Sequence, residues 1–137
     1  MLLRRRFDIP SELSGTDLAA VVPEAELASV LRRGTTVTVA AGKEVMGEDT
    51  FGREFLIVLS GQLQVSRDGV EVATLSTGDI AGEIALLGHA RRTATVVALA
   101  DTRVVAFNRR EFSTALDECP GFAAFVVATA QARNTAA

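Results

Sequence analysis

The stretch that decides the fold class runs from residue 55 to residue 75 and reads FLIVLSGQLQVSRDGVEVATL. Its first part, Phe55–Leu59, is apolar throughout and indicates a strand. A serine–glycine pair then turns the chain, and residues 62–67 alternate between polar and apolar side chains, as a half-buried strand does. Asp68-Gly69 is a strong hairpin signal and is followed by a third strand, Val70–Leu75. The stretch therefore predicts consecutive short strands joined by tight turns.

The same pattern continues on both sides of this stretch. Upstream, Thr35–Val39 alternates with a period of two, and Val45-Met46 forms a short strand after a glycine turn. Downstream, Thr93–Leu99 and Arg103–Phe107 have the composition of two further strands. Several short strands at close spacing with glycine turns predict an antiparallel β barrel or jelly roll.

Helices are predicted at both ends of the strand region. Pro23-Glu24-Ala25-Glu26 is a typical helix start, and Gly34 ends this helix. The chain after Arg109 is helical in two parts, which Cys119-Pro120-Gly121 separates, and the second part runs from Phe122 to about residue 133. The predicted fold is mainly β with flanking helices: an antiparallel β jelly roll (double-stranded β-helix) with an N-terminal helix and C-terminal hinge helices.

Length and composition limit the number of domains and the classes of partner. A chain of 137 residues fits one domain, which we assign to residues 23–137 after a poorly patterned N-terminal leader, 1–22. The net charge is −3, whereas nucleic-acid-binding domains usually carry a basic face. The most apolar segment, 122–130, is shorter than the roughly 20 residues of a membrane span. We therefore expect neither a nucleic acid nor a membrane as partner, and the single cysteine agrees with a cytoplasmic location.

The segment with side chains and backbone groups suited to bind a ligand is 82–96, GEIALLGHARRTATV. Gly82 lets the backbone approach a ligand closely, and Glu83 can accept hydrogen bonds from a sugar hydroxyl. The stretch Glu83–Leu87 is long enough for one helical turn, whose free N–H groups make an anion site. After the following loop, Arg92 can return to the same point with a planar fork that suits phosphate, and Thr93 adds a hydroxyl donor. A phosphate and a sugar hydroxyl held side by side describe a cyclic nucleotide.

Two separated halves of this segment, Gly82–Leu87 and Arg92–Thr95, resemble the phosphate-binding cassette of the cyclic-nucleotide-binding domain family. That family includes the catabolite activator protein, regulatory subunits of protein kinase A and cyclic-nucleotide-gated channels. The resemblance covers about residues 23–134, and it implies that Glu83 binds the ribose 2′-hydroxyl and Arg92 the cyclic phosphate. The ligand-binding residues that it implies are Gly82, Glu83, Ile84, Ala85, Arg92 and Thr93, with the amides of Ile84 and Ala85 facing phosphate and the Thr93 hydroxyl facing phosphate or the base edge. Leu75, Ile80 and Leu86 are implied as the apolar wall around the base.

The segment leaves open which arginine binds phosphate and whether the domain still binds a ligand. Arg91 stands next to Arg92, and the Thr-Ala-Thr register favours Arg92 as the phosphate ligand. Ala81 occupies the place where the family often has an aromatic residue. The alternative interpretation of Glu83 and Arg92 is an internal salt bridge in a barrel that has lost its ligand.

The functional prediction is a cyclic-nucleotide sensor, with cAMP favoured and cGMP kept open as ligand. The sequence contains no catalytic set and no metal cluster, so we expect no enzyme activity and no metal. Ligand binding is predicted to move the C-terminal helices through the segment Phe112–Phe125 and so to regulate another protein or domain, while a homodimer stays open. The resemblance suggests a stand-alone bacterial domain. The alternatives are a fragment of a cAMP-dependent transcription regulator and a nucleotide-free domain used for protein interaction.

Overall fold

The computed structural model describes residues 9–47, 54–83 and 94–136. Within these ranges, eight strands form two four-stranded antiparallel sheets, in the orders β1-β8-β3-β6 and β2-β7-β4-β5. The strands are β1 (Thr35–Val39), β2 (Glu44–Met46), β3 (Glu54–Ser60), β4 (Leu63–Arg67), β5 (Val70–Leu75), β6 (Ile80–Ala81), β7 (Thr95–Ala98) and β8 (Thr102–Asn108). The prediction of a mainly antiparallel β fold with flanking helices is confirmed.

The helices lie before and after the strands in the chain. They are a 3₁₀ turn (Ser11–Leu13), α1 (Asp17–Val21), α2 (Glu24–Arg33), α3 (Arg109–Glu118) and α4 (Pro120–Ala136). The break predicted at Cys119-Pro120-Gly121 is shorter in the structure, because only Cys119 separates α3 from α4. Pro120 occupies the first position of α4, where a proline leaves no helical hydrogen bond unmade.

Two hydrophobic cores lie on the two faces of the sheet that contains β3. Alternate residues of a strand point to opposite faces, and both faces of β3 are buried. Phe55, Ile57 and Leu59 belong to a helix-side core together with residues of the helices, whereas Leu56 and Val58 belong to a barrel core together with residues of both sheets. This double burial explains why β3 is apolar at five consecutive positions.

Phe55 is the centre of an aromatic cluster in the helix-side core. Its ring stacks on Phe112 of α3 with a centroid distance of 4.3 Å, and it contacts Phe122 of α4 edge-on at 5.9 Å. The ring of Phe107 in β8 lies 5.6 Å from that of Phe55, at an interplanar angle of 57°. Full burial of each phenylalanine contributes about 1.5–3 kcal/mol. Phe112 and Phe122 are buried in this core and Phe125 packs against it, so these rings hold α3 and α4 on the strand region.

The segment before α2 packs on the strand region through buried apolar side chains and one ion pair. Leu13, Leu18 and Val22 are buried in the helix-side core. Glu12 pairs with Arg103 of β8 at 2.6 Å. A backbone hydrogen bond, and then the Arg103 guanidinium, lower the pKa of the Glu12 carboxyl below its usual value. Because both side chains are exposed to solvent, the pair contributes little to stability and mainly orients this segment on β8.

Candidate functional site

The candidate site begins where β6 ends. β6 pairs with β3 through Leu56–Ala81 and Ile57–Ile80, which fixes the backbone just before the predicted cassette. Gly82 follows with a φ of +94°, a left-handed conformation that favours glycine. The sheet and this turn together set the direction in which Glu83 leaves the strand.

Glu83 is a buried acid, with only 2% of its side chain exposed. Its Oε2 accepts a hydrogen bond from Nη1 of Arg133 at 2.6 Å. Its Oε1 is buried and has no hydrogen-bond partner among the residues that the structure describes. A carboxylate can only accept hydrogen bonds, and a buried acceptor without a donor is costly. The arrangement therefore fits a ligand that brings a hydroxyl or N–H donor to Oε1.

Arg133 is the partner of Glu83 in the structure, a contact that the sequence did not predict. It lies near the end of α4, fifty positions after Glu83, and a third of its side chain is exposed. It is the only charged residue of α4, in a helix otherwise made of apolar and small polar residues. A lone arginine in such a helix is a signal that it has a specific partner, although the local pattern does not identify that partner.

The structure describes two of the six predicted ligand-binding residues, Gly82 and Glu83. The other four, Ile84, Ala85, Arg92 and Thr93, lie outside the described residues, as do Leu86 and Arg91. The alternative in which Glu83 forms a salt bridge with Arg92 therefore stays open. Among the described residues, Glu83 forms its ion pair with Arg133.

The predicted wall around the base is divided by the structure. Leu75 lies in the barrel core, whereas Ile80 lies in the helix-side core. The reason is the alternation of β6, which turns Ile80 towards the helices and its neighbour Ala81 towards the barrel. Of this pair, Ala81 is thus the residue that shares a core with Leu75.

The described part of the chain contains neither a candidate membrane span nor a candidate metal site. No helix in residues 9–47, 54–83 and 94–136 is both long enough and apolar enough to cross a membrane. The same residues contain no group of three or more His, Cys, Asp or Glu side chains placed to hold a metal ion.

Comparison with known proteins gives a family. The sequence model of the cyclic nucleotide-binding domain matches residues 36–119, which is more than half of the chain. A cAMP-dependent protein kinase regulatory subunit from Debaryomyces hansenii is 48% identical over 66 residues, covering 47% of this chain and 14% of the relative. The cGMP-dependent protein kinase egl-4 from Caenorhabditis briggsae is 38% identical over 72 residues, covering 53% of this chain and 10% of the relative. The chain thus matches only a small part of the length of these curated relatives.

A solved structure shows the same fold. The catabolite activator protein of Thermus thermophilus superimposes with a TM-score of 0.73 at 24% identity, over 92% of this chain and 58% of that chain. At this level of identity the likeness concerns the architecture of sheets and helices described above.

Proposed function

The chain belongs to the cyclic nucleotide-binding domain family, and on that premise we propose that it is a sensor that binds cAMP and transmits binding through α4. The observation that carries the proposal is the state of Glu83. One oxygen of this buried carboxylate is paired with Arg133, and the other has no partner among the described residues. A ribose hydroxyl supplies the donor that the second oxygen requires.

Each proposed ligand contact follows from the chemistry of the nucleotide. Glu83 Oε1 accepts from the ribose 2′-hydroxyl, and Gly82, which has no side chain, lets the backbone approach the sugar closely. Arg92 and the amides of Ile84 and Ala85 bind the cyclic phosphate, while the Thr93 hydroxyl adds a further donor. Charged hydrogen bonds of this kind are stronger than neutral ones, so the phosphate supplies much of the affinity.

Transmission is supported by the position of Arg133. The same carboxylate that receives the ribose holds the last turns of α4, so a change at Glu83 acts directly on this helix. Only Cys119 separates α3 from α4, and both helices pack on Phe55 of β3. A ligand can move such a helix only if it binds the two arrangements with different affinity. Arg133 provides a route for that difference.

The proposal includes a choice of ligand and a kind of partner. The regulatory subunit that shares 48% identity is named for cAMP and the kinase at 38% for cGMP, which favours cAMP and keeps cGMP as the second ligand. A domain that changes the position of its C-terminal helices acts on another protein or domain, so we propose a regulatory role without catalysis of its own. We further propose a cytoplasmic setting, where cyclic nucleotides are available.

The test is a calorimetric titration of the chain with cAMP and with cGMP, and with 5′-AMP as the non-cyclic control. We expect saturable binding of a cyclic nucleotide, and a loss of about 1.5–3 kcal/mol in Glu83→Ala, because a charged hydrogen bond is removed. The exposed acid Glu24 supplies the matched control, since Glu24→Ala removes a carboxylate distant in sequence from the cassette. Absence of heat and of a melting shift with both nucleotides at millimolar concentration would favour the nucleotide-free interaction domain.

A further inference from the structure

The junction between α3 and α4 is held by a residue from the other end of the chain. The amides of Gly121 and Phe122, in the first turn of α4, donate to Oε1 of Glu26 at 2.8 and 3.2 Å. The first N–H groups of a helix have no partner within it and need an external acceptor. Cys119, the residue before α4, has only a weakly accepting thiol. The α2 carboxylate of Glu26 replaces the missing local cap and also suits the positive end of the helix dipole.

The starts of α2 and α4 approach each other too closely for a side chain to fit between them at Gly121. A Cβ on Gly121 would lie 2.7 Å from Cδ of Pro23 and 3.0 Å from Oε1 of Glu26. Cys119 is buried beside the same turn, with its Sγ 3.9 Å from the carbonyl oxygen of Glu26. The first turns of α2 and α4 are therefore in direct contact, and Glu26 is the polar part of that contact.

α4 is thus fixed by a carboxylate near each end. Glu26 holds Gly121 at its start, and Glu83 holds Arg133 near its end. The helix between these two points is about 18 Å long at 1.5 Å per residue. Since a helix of this length moves nearly as a rigid body, a shift of its first turn displaces the Arg133 guanidinium at the other end.

We propose that Glu26 is a positioning residue for the nucleotide site, which acts through α4 and Arg133. By holding the first turn of α4 against α2, it keeps Arg133 within reach of Glu83, and Arg133 in turn presents Glu83 Oε1 to the ribose. Arg33 supports the same junction from the other end of α2, since it pairs with Glu118 in the last turn of α3. The nucleotide part of this inference rests on the proposed function, whereas the structural part does not.

The structural part is tested with the only cysteine of the chain as a reporter. Cys119 is buried at the junction, so the rate at which its thiol reacts with a disulfide reagent measures how often the junction opens. We expect Glu26→Ala to raise this rate about tenfold, because the cap is a charged hydrogen bond. Glu26→Gln retains an acceptor oxygen and should give a smaller increase. Glu24→Ala, in the same turn of α2, is the control and should react as the unmodified chain does.

The outcomes of the thiol experiment are distinct. Equal rates in the unmodified chain, Glu26→Ala and Glu26→Gln would show that Glu26 does not hold the junction and would overturn the proposal. If Glu26→Ala unfolds, the comparison between the unmodified chain and Glu26→Gln decides the same question, since the amide preserves the size of the side chain.

The positioning role is tested by a double-mutant cycle on cAMP affinity. We expect Glu26→Ala to weaken binding about fivefold, because the arrangement competent for binding is less populated. In an Arg133→Ala background, Glu26→Ala should not weaken cAMP binding further, since the contact between α4 and Glu83 is already missing. A role confined to stability would lower the melting temperature without this dependence on Arg133. Equal losses in both backgrounds would therefore contradict the proposal.

The two proposals fail in different ways. If the unmodified chain binds neither cyclic nucleotide, the proposed function falls, and the nucleotide role of Glu26 falls with it. The Cys119 rates would still decide whether Glu26 closes the junction. If the unmodified chain binds and the cycle shows no coupling, the sensor stands and the positioning role of Glu26 does not.

Discussion

At the scale of single residues, the two oxygens of the Glu83 carboxylate have different environments. A buried charge is tolerated where it is paired, and the Arg133 contact at 2.6 Å provides that pair. The same contact fixes the side chain, so Oε1 is oriented before a ligand arrives. Such preorganisation reduces the cost of ordering the site on binding. Arg133 therefore serves both the stability of a buried acid and the geometry of the proposed ribose contact.

A prediction at this scale concerns the phosphate. Arg92→Ala should weaken cyclic-nucleotide binding by about 2–5 kcal/mol, because it leaves the phosphate without its charged partner. Arg91→Ala is the control, with the same change of charge one position earlier, and should cost much less. Calorimetric titration of both variants measures the difference. Equal losses would show that the register Arg92-Thr93-Ala94-Thr95 is assigned wrongly.

At the scale of elements, the turn between β3 and β4 approaches the start of β8 closely. Gly61 has a φ of +95°, and a Cβ there would lie 2.5 Å from Oγ1 of Thr102. Thr102 is fully buried, and its hydroxyl bonds to the backbone of Gln62 and Ala100. These contacts tie the turn to β8, so Gly61 has no space for a larger residue.

This geometry predicts different costs at two glycines. Gly42 also has a positive φ, +87°, but a Cβ there would meet no atom within 4 Å. Gly42→Ala should therefore cost only the left-handed conformation, about 1–2 kcal/mol. Gly61→Ala should cost about 1–3 kcal/mol more, since the methyl group also overlaps the buried Thr102. Urea unfolding of both variants measures the difference, and similar losses would contradict a close contact at Gly61.

Local patterns were sufficient for most elements and insufficient for the helix junction. The Asp68-Gly69 signal is matched by positive φ at both residues, as this type of hairpin requires. At the end of α3, however, proline and glycine indicated a break of three residues, whereas α4 begins at Pro120. The acceptor for its first amides is Glu26, which lies 95 residues earlier. A local pattern does not identify partners so distant in sequence, and the same holds for the pair Glu83–Arg133.

At the scale of the whole molecule, α4 connects its junction with α2 to the Glu83 carboxylate. Three of its buried residues, Phe122, Val126 and Ala130, recur every four positions, and Phe122 and Val126 belong to the helix-side core. Its first turn contacts α2, and Arg133 reaches the carboxylate at the end of β6. Because close-packed interiors do not deform continuously, movement of α4 requires a shift between discrete packings of this face.

The last prediction follows from this connectivity and is measured by hydrogen exchange with and without saturating cAMP. If the nucleotide binds Glu83 and the cassette, protection should change within residues 82–95. It should change also within residues 112–130, because Arg133 links the ribose-binding carboxylate to α4 and the opening of α4 is then coupled to the ligand. In Arg133→Ala the change should be confined to 82–95, which separates transmission from binding, and 5′-AMP should leave both segments unchanged. A change confined to 82–95 in the unmodified chain would mean that this domain binds its nucleotide without moving its C-terminal helices.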